Sequence, residues 1–546
     1  MPLLPVRQLG SAGVVTDLDP FNLPINGFTR AKNVRFTQDG NIERSPVFRD
    51  VSGGDLSSSL DGNPSHITGV FGGSSGYDSI TLVTDVYHVY TFSGGTLTSN
   101  VDFATSASTV PFTSTTLADV QYLNRPDRVP VFLGPSGGAY ANLTNWPSTH
   151  RCVSLRSYGD FLIALGMTEG SSSYPNRVRF SDIALANNVP SSWDATDATK
   201  SAGFNDLVQM DTPIVDGATL GTNFVIYSSD SVYNMEFVGG TFIFNFRKLF
   251  DDCGVINQNC IVEVEGKHFV FDNDDIYVHD GNTRQSICDQ RVRDYVFASG
   301  LDTSKTEACF VHHNAALEEV YFCYHTGDDM VTLEDASHCN RAAVYNYKAD
   351  TWSFIDLPNV VAGTTANVNT VSTYAAATTT YANTGGSYHD QESPYGRHNI
   401  FFSKTVANGL PSCDKLLAMD GATVGAIAAP IDTAATQSIF LERKGIDLDQ
   451  EAGSPLSGYK VLRGFYPQVT TDDSSNSTLT FTFGASDLPS GVPSYGSAVT
   501  YDMSTDHKVD TRSSGRYLSY KLTDDATDKD FKFSGMDIDV VITGKR

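Results

Sequence analysis

The chain has 546 residues, of which 40% are hydrophobic, 11% aromatic and only 18% charged, with 46 Gly, 32 Phe and 25 Tyr. Lysine and arginine total 37 against 63 aspartates and glutamates, a formal net charge of −26, so a chain this acidic repels polyanions and sequence-specific nucleic-acid binding is excluded as an expectation. Length allows several cores, the Thr, Ser and aromatic content favours sheet, and no stretch of about a dozen residues shows capped helical periodicity.

The first predicted element is a hairpin in "KNVRFTQDGNIERSP", residues 32–46, turning at Asp39-Gly40 with Val34 and Phe36 before the turn and Ile42 after it. A hairpin this small is marginal alone, so it is expected to join a sheet from distant sequence, closing a propeller or adding to a C-terminal domain. The start, "MPLLPVRQLGSAGVV", has no basic segment leading an apolar run, and no apolar run reaches membrane-spanning length, so stable membrane insertion is not expected.

A weak repeat follows. "SITLVTDVYHVYTFSGGTL" from 79, "NFVIYSSDSVYNMEFVGGTF" from 223, "HFVFDNDDIYVHDGNT" from 268 and "DKLLAMDGATV" from 414 share an apolar strand, a polar turn with Asp, a second strand and a further turn. Tyr233 and Tyr277 hold equivalent places 277 − 233 = 44 residues apart, one four-stranded blade. With "RVPVFLGPSGG", "YGDFLIALGM" and "AAVYNYKADTWSF", these predict five to seven blades of an irregular β-propeller across 55–430. Ordinary β-sandwiches with similar hairpins are the alternative.

Residues 357–389 carry no Asp, Glu, Lys or Arg and are expected to project as an uncharged insertion. After 430, "GYKVLRGFYPQVT", "STLTFTFGAS", "GRYLSYKLT" and "FKFSGMDIDVVITGKR" alternate apolar and polar residues, as strands of a sandwich with one wet face do. The expected fold is therefore all-β: an N-terminal arm and hairpin over 1–54, the propeller over 55–430, and a sandwich-like domain over 431–546.

Catalytic and metal chemistry find little support. Asp272, Asp274, Asp275 and Asp280 share one hairpin, where turn chemistry outweighs paired carboxylates or calcium, whose loop pattern is not met. "SLDGNPSH" is no complete Asp box, the Trp193-Asp194 pair is no WD repeat, and His312 and His313 fall on opposite faces of a strand. No P-loop, GxGxxG or G-x-S-x-G motif is present. Cys253 and Cys260 enclose six residues and leave open a disulfide, half a zinc site or buried thiols, the last being expected. No catalytic, cofactor or metal residue is assigned, and no enzyme is expected.

Several segments resemble the tail nozzle proteins, or tail tubular protein B, of short-tailed bacteriophages: "GVVTDLDPFNLPINGFTRAKNVRFTQDGNIERSPVF" (13–48), "NRVRFSDI" (176–183), "SSWDATDATKSAGFNDL" (191–207), residues 213–255, residues 266–287, "SSGRYLSYKL" (513–522) and "FSGMDIDVVITGKR" (533–546). The resemblance implies a virion subunit assembled in the host cytoplasm. It implies six copies ringed below an adaptor, forming the distal part of the DNA-ejection channel and docking tail fibres or spikes. Residues 300–430 match that family least. A carbohydrate-binding or carbohydrate-cleaving propeller, or a receptor-binding module on the virion surface, remains the alternative.

Overall fold

The computed structural model describes residues 3–70, 79–240, 242–328, 336–367, 398–406, 414–419, 438–448, 458–471, 477–524 and 531–544. Successive four-stranded antiparallel meanders fill the middle of the chain. Blade 1 runs over Pro64–Val70, Ser79–Thr84, His88–Ser93 and Thr96–Asp102. Blades 2 to 5 open on the strands Thr113–Leu117, His150–Tyr158, Ile214–Leu220 and Ile261–Val264. In every one the first strand lies beside the first strand of a neighbour, which makes the assembly a propeller.

The next sheet has seven strands because two blades share one. Strand Thr351–Ala366 pairs through its first half with Cys339–Asn346, as the outer strand of blade 6. Its second half pairs with His398–Ser403 and lies beside the first strand of blade 1, as the inner strand of blade 7. Blade 7 continues through Lys415–Met419 and is completed by Phe48–Asp50, a strand that precedes blade 1 in sequence. The ring is thus closed by pairing early residues with late ones, where Leu417 faces Asp50 and Met419 faces Phe48. Phe48 also meets Phe401 edge-on at 5.8 Å, adding an apolar contact to the ladder.

Two further sheets form a sandwich, and neither is made from C-terminal residues alone. One joins Tyr459–Thr470, Val509–Gly515 and Lys532–Gly544 to the N-terminal strands Leu4–Arg7, Val34–Phe36 and Ile42–Arg44. The other joins Thr478–Ser486, Tyr517–Asp524 and Ile439–Ile446 to Arg30–Lys32. Alternating burial along Thr478–Ser486 sends Phe481 and Phe483 inward, where Phe465 lies 5.2 and 5.1 Å from their rings. Burying such aromatic area on both sheets is the main force joining them.

The 32–46 hairpin therefore pairs with the strand near the C-terminus, Ile42 facing Phe533 and Glu43 facing Lys532. Gly40 has φ +75°, and a Cβ there would meet the Gln8 Cβ at 2.8 Å, so both the turn and the close approach of Leu4–Arg7 require glycine. The same arm is bonded to the propeller. Lys32 pairs with Asp356 at 2.8 Å, Arg35 donates to Glu319 at 2.9 Å, and the Asn33 N–H donates to the Phe354 carbonyl at 2.8 Å. One stretch of about fifty residues thus supplies strands to the sandwich, bridges it to blade 6 and closes blade 7.

Within the uncharged stretch, residues 357–366 are blade strand and not projection: Val360, Ala362 and Gly363 pair in register with Ser403, Phe402 and Phe401. The remainder of that expected insertion lies outside the described residues. Cys253 and Cys260 are both free and buried, so the disulfide alternative is set aside; Cys413 lies outside the described residues. Among the described residues, no helix is long and apolar enough to cross a membrane.

Candidate functional site in the propeller channel

Neighbouring blades are joined around the axis by hydrogen bonds at the innermost strands or their neighbours. Gln121 of blade 2 donates to Thr68 of blade 1, the Ser157 N–H of blade 3 donates to Thr115, and Ser154 donates to Asp216 of blade 4. His268 of blade 5 donates to the Thr219 carbonyl at 2.8 Å, and the Val311 N–H of blade 6 donates to the Asn259 carbonyl. His312 bonds Asn399 of blade 7 at 2.8 Å, and the Gly69 N–H donates back to Thr364 at 3.0 Å. These bonds surround a central cavity of about 750 Å³, a volume that suits a small molecule.

A buried ion pair crosses the lining. Arg156 gives Asp216 two bonds, Nε to Oδ1 at 2.9 Å and Nη2 to Oδ2 at 2.5 Å, and reaches the Ser114 carbonyl and Asn259 Oδ1 with its remaining donors. Asp216 also accepts from Ser154 Oγ, the Gly217 N–H and the Asn259 N–H. Burial alone would raise this carboxyl, but the Arg156 charge and the converging donors hold it below the ordinary value. One ion pair consequently ties blades 2, 3 and 4 to the segment entering blade 5, and it keeps Asp216 from acting as a proton donor near neutral pH.

The opposite side of the cavity carries cations, unusual in a chain of net charge −26. Lys305 donates to His325 Nε2 at 2.9 Å and to the Ala336 carbonyl at 2.7 Å, while Lys404 and His338 complete this corner. Burial first, and then the charges of Lys404 and Lys305, lower His338 to about 4, so it is neutral at physiological pH. Ser337 Oγ lies 2.9 Å from His338 Nδ1, but among the described residues no carboxylate hydrogen-bonds to that imidazole. With Ser65, Thr109, Asn257 and Gln258 nearby, and with Asp85 and Glu307 also lining the cavity, the corner offers hydrogen bonds to a polar group.

A second buried polar cluster sits between blades 4 and 5. The Gly281 N–H donates to His279 Nδ1, so that ring carries its proton on Nε2, which faces Tyr227 Oη at 2.6 Å. His268 Nε2 donates to Thr219, leaving Nδ1 to accept from Tyr227 Oη, also at 2.6 Å. Every donor in the chain His279–Tyr227–His268 has its acceptor. Burial lowers His268 to about 4 and His279 to about 3, which keeps both rings neutral and the chain intact.

The acidic hairpin singled out in the sequence is turn chemistry. Asp272 accepts from the Gly254 and Asn273 N–H groups, and Asp280 from those of Asn282 and Thr283. Asp275 accepts from Ser286 and Arg284, and the exposed Asp274 pairs with Arg293. His312 and His313 do point apart, the first to Asn399 and the second to Tyr347. Trp193 is buried against Trp146 at 4.6 Å, and Asp194 caps the turn at Thr196. Sequence reasoning missed Arg156, Asp216, Lys305, His338 and Lys404. They lie on separate strands and loops between residues 156 and 404, and no local motif joins them.

No family model matches the chain, and no curated protein matches it. Among solved structures, it is similar to one titled "YCF48 bound to D1 peptide", at 10% identity, over 66% of this chain and 93% of that one. The TM-score is 0.33. The class is set by the topology itself: an irregular β-propeller carrying a β-sandwich.

Proposed function

We propose that this chain is a structural, non-catalytic subunit of a short-tailed phage tail nozzle. In this reading six copies form a ring below the adaptor, the ring lines the distal part of the DNA-ejection channel, and its outer face docks tail fibres or spikes. The observation that carries the reading is where the resembling segments fall. Residues 13–48, 513–522 and 533–546 supply strands to the two sandwich sheets, and the arm also bridges to the propeller, so the likeness covers this framework as well as the blade hairpins within 213–255 and 266–287. Net charge supports it too, because acidic walls let DNA pass without gripping its phosphates.

A single propeller is not the conduit in this reading. Its cavity of about 750 Å³ has the size of a small-ligand site, with the Arg156–Asp216 pair in its wall, so DNA would pass between copies. The test is electron microscopy of the purified full chain, alone and mixed with its adaptor ring. Six-fold rings stacked on the adaptor are expected, and a persistent monomer in both samples would overturn the proposal. Assay of the same preparation on surface polysaccharides addresses the carbohydrate alternative, which predicts binding or cleavage by the monomer.

A further inference from the structure

Blade 1 brings together three side chains that the channel site and the nozzle reading do not use; Asp102 Oδ1 accepts the Ala104 N–H at 2.6 Å, which leaves its other oxygen. Asp61 precedes the inner strand, His88 opens the third strand, and Asp102 ends the fourth. His88 and Asp102 are direct partners in the antiparallel register, which sets their side chains close together. One ligand-type atom from each residue lies within 4.8 Å of the other two.

The histidine is fixed in place. Its ring stacks on Tyr90 at 4.3 Å, and the Tyr90 hydroxyl in turn accepts from the Asp61 N–H at 2.7 Å, which places the Asp61 loop over the ring. Ser99 Oγ lies 2.8 Å from His88 Nε2. With Nε2–H donating to Ser99, the Nδ1 lone pair faces the two carboxylates. Nδ1 is inaccessible to solvent and has no hydrogen-bond partner, its nearest charged neighbour being Asp61 Oδ2 at 3.8 Å. That separation is too long for a hydrogen bond between a protonated ring and the carboxylate. It is close to what a shared metal ion imposes: bonds of about 2.1 Å at a tetrahedral angle set ligand atoms about 3.4 Å apart.

We propose that Asp61, His88 and Asp102 form a binding site for a divalent cation of the Zn²⁺ class, held by His88 Nδ1 and one oxygen from each carboxylate. One imidazole with two carboxylates suits Zn²⁺ or Mn²⁺ better than Ca²⁺, which takes oxygen ligands alone. Ser99 is the outer partner that holds the ring's orientation, its hydroxyl accepting from Nε2–H when Nδ1 binds the ion. Asp61 is 69% exposed and can turn to close the remaining gap, leaving a fourth position to water. The bound ion would tie the loop before blade 1 to the blade's two outer strands.

The test is titration of the metal-free full chain with Zn²⁺, and separately with Mn²⁺, by calorimetry, against His88→Ala and Asp61→Asn. One equivalent at micromolar affinity is expected in the parent chain, weakened at least about tenfold in each variant. Uptake equal in the parent and both variants places the metal elsewhere, for instance on the cysteines, and overturns the proposal. So does failure of the parent chain to take up either ion at submillimolar concentration. Asp61 contributes only its backbone N–H to Tyr90 in this cluster, so Asp61→Asn should retain the parent's thermal midpoint in chelator, which separates lost ligation from lost fold.

Discussion

Replacing Asp216 by Asn changes one atom and removes the charge that Arg156 faces. The side chain keeps its shape, but an NH₂ group now points at one set of donors among Arg156, Ser154, Gly217 and Asn259. Removing one partner of a buried pair costs about 3–5 kcal/mol, chiefly by stranding the other charge. Arg156 retains the Ser114 carbonyl and Asn259 Oδ1, and its side chain is 18% exposed, so the lower end, about 3 kcal/mol, is the expected loss. At about 2 °C per kcal/mol for a large chain, the thermal midpoint falls by roughly 6 °C. Trp146, Trp193 and Trp352 are all buried, so intrinsic fluorescence reports the transition. The paired replacement Arg156→Met with Asp216→Leu should recover most of the loss, because an apolar pair strands no charge. An Asp216→Asn chain within about 0.5 kcal/mol of the parent would refute the view that this ion pair holds four blades together.

Acid should weaken the fold before its carboxylates titrate. Burial lowers His66 and His279 to about 3 and His268 and His312 to about 4, all below the ordinary value for histidine. The unfolded chain therefore binds more protons below about pH 6.5, and stability present above that pH is lost as pH falls towards 4, by up to about 1.4 kcal/mol per pH unit for each independent ring. His268 and His279 share Tyr227 and count as less than two; a thermal midpoint unchanged between pH 7 and 5 would contradict this account. Tyr227→Phe leaves the His279 Nε2–H without an acceptor and His268 Nδ1 without a donor, and should cost about 2–4 kcal/mol in urea denaturation. Gly40→Ala places a Cβ at positive φ against Gln8 and should cost about 1–2 kcal/mol, whereas the same change at Gly94, with open space around it, should cost only the φ penalty of about 1 kcal/mol. Deleting residues 1–50 removes strands from the sandwich and from blade 7 at once, so the product should be insoluble; a soluble chain with parental circular dichroism would refute the closure.

The local half of this fold is legible in the sequence. Tyr233 and Tyr277, 277 − 233 = 44 residues apart, occupy the third strands of blades 4 and 5, so the repeat reports true blade geometry. Consecutive strands of a blade pair through short turns, and alternation with Gly or Asp at the turn suffices to mark them. Strand Phe48–Asp50 gives no such signal, because three residues carry no periodicity and their partner lies some 370 residues away. The continuous strand Thr351–Ala366 hides a blade boundary for the opposite reason: no turn marks the passage from blade 6 to blade 7. Arg156 and Asp216 lie sixty residues apart, and Asp61, His88 and Asp102 meet only once the register of blade 1 is set.

Closure and linkage are therefore one property of this chain. Blade 7 is complete only with its outer strand Phe48–Asp50, held by the arm whose earlier residues are already committed to the sandwich. Pairing Val34–Phe36 and Ile42–Arg44 with the Lys532–Gly544 sheet fixes where residue 48 emerges, and the Lys32–Asp356 and Arg35–Glu319 pairs fix the sandwich against blade 6. Glu319 is buried enough that desolvation raises its carboxyl even beside Arg35, so the attraction between the two charges is largely offset by the cost of burying them. A late sandwich and an early propeller strand thus depend on each other, and blade 7 is complete only when both ends of the chain are in place.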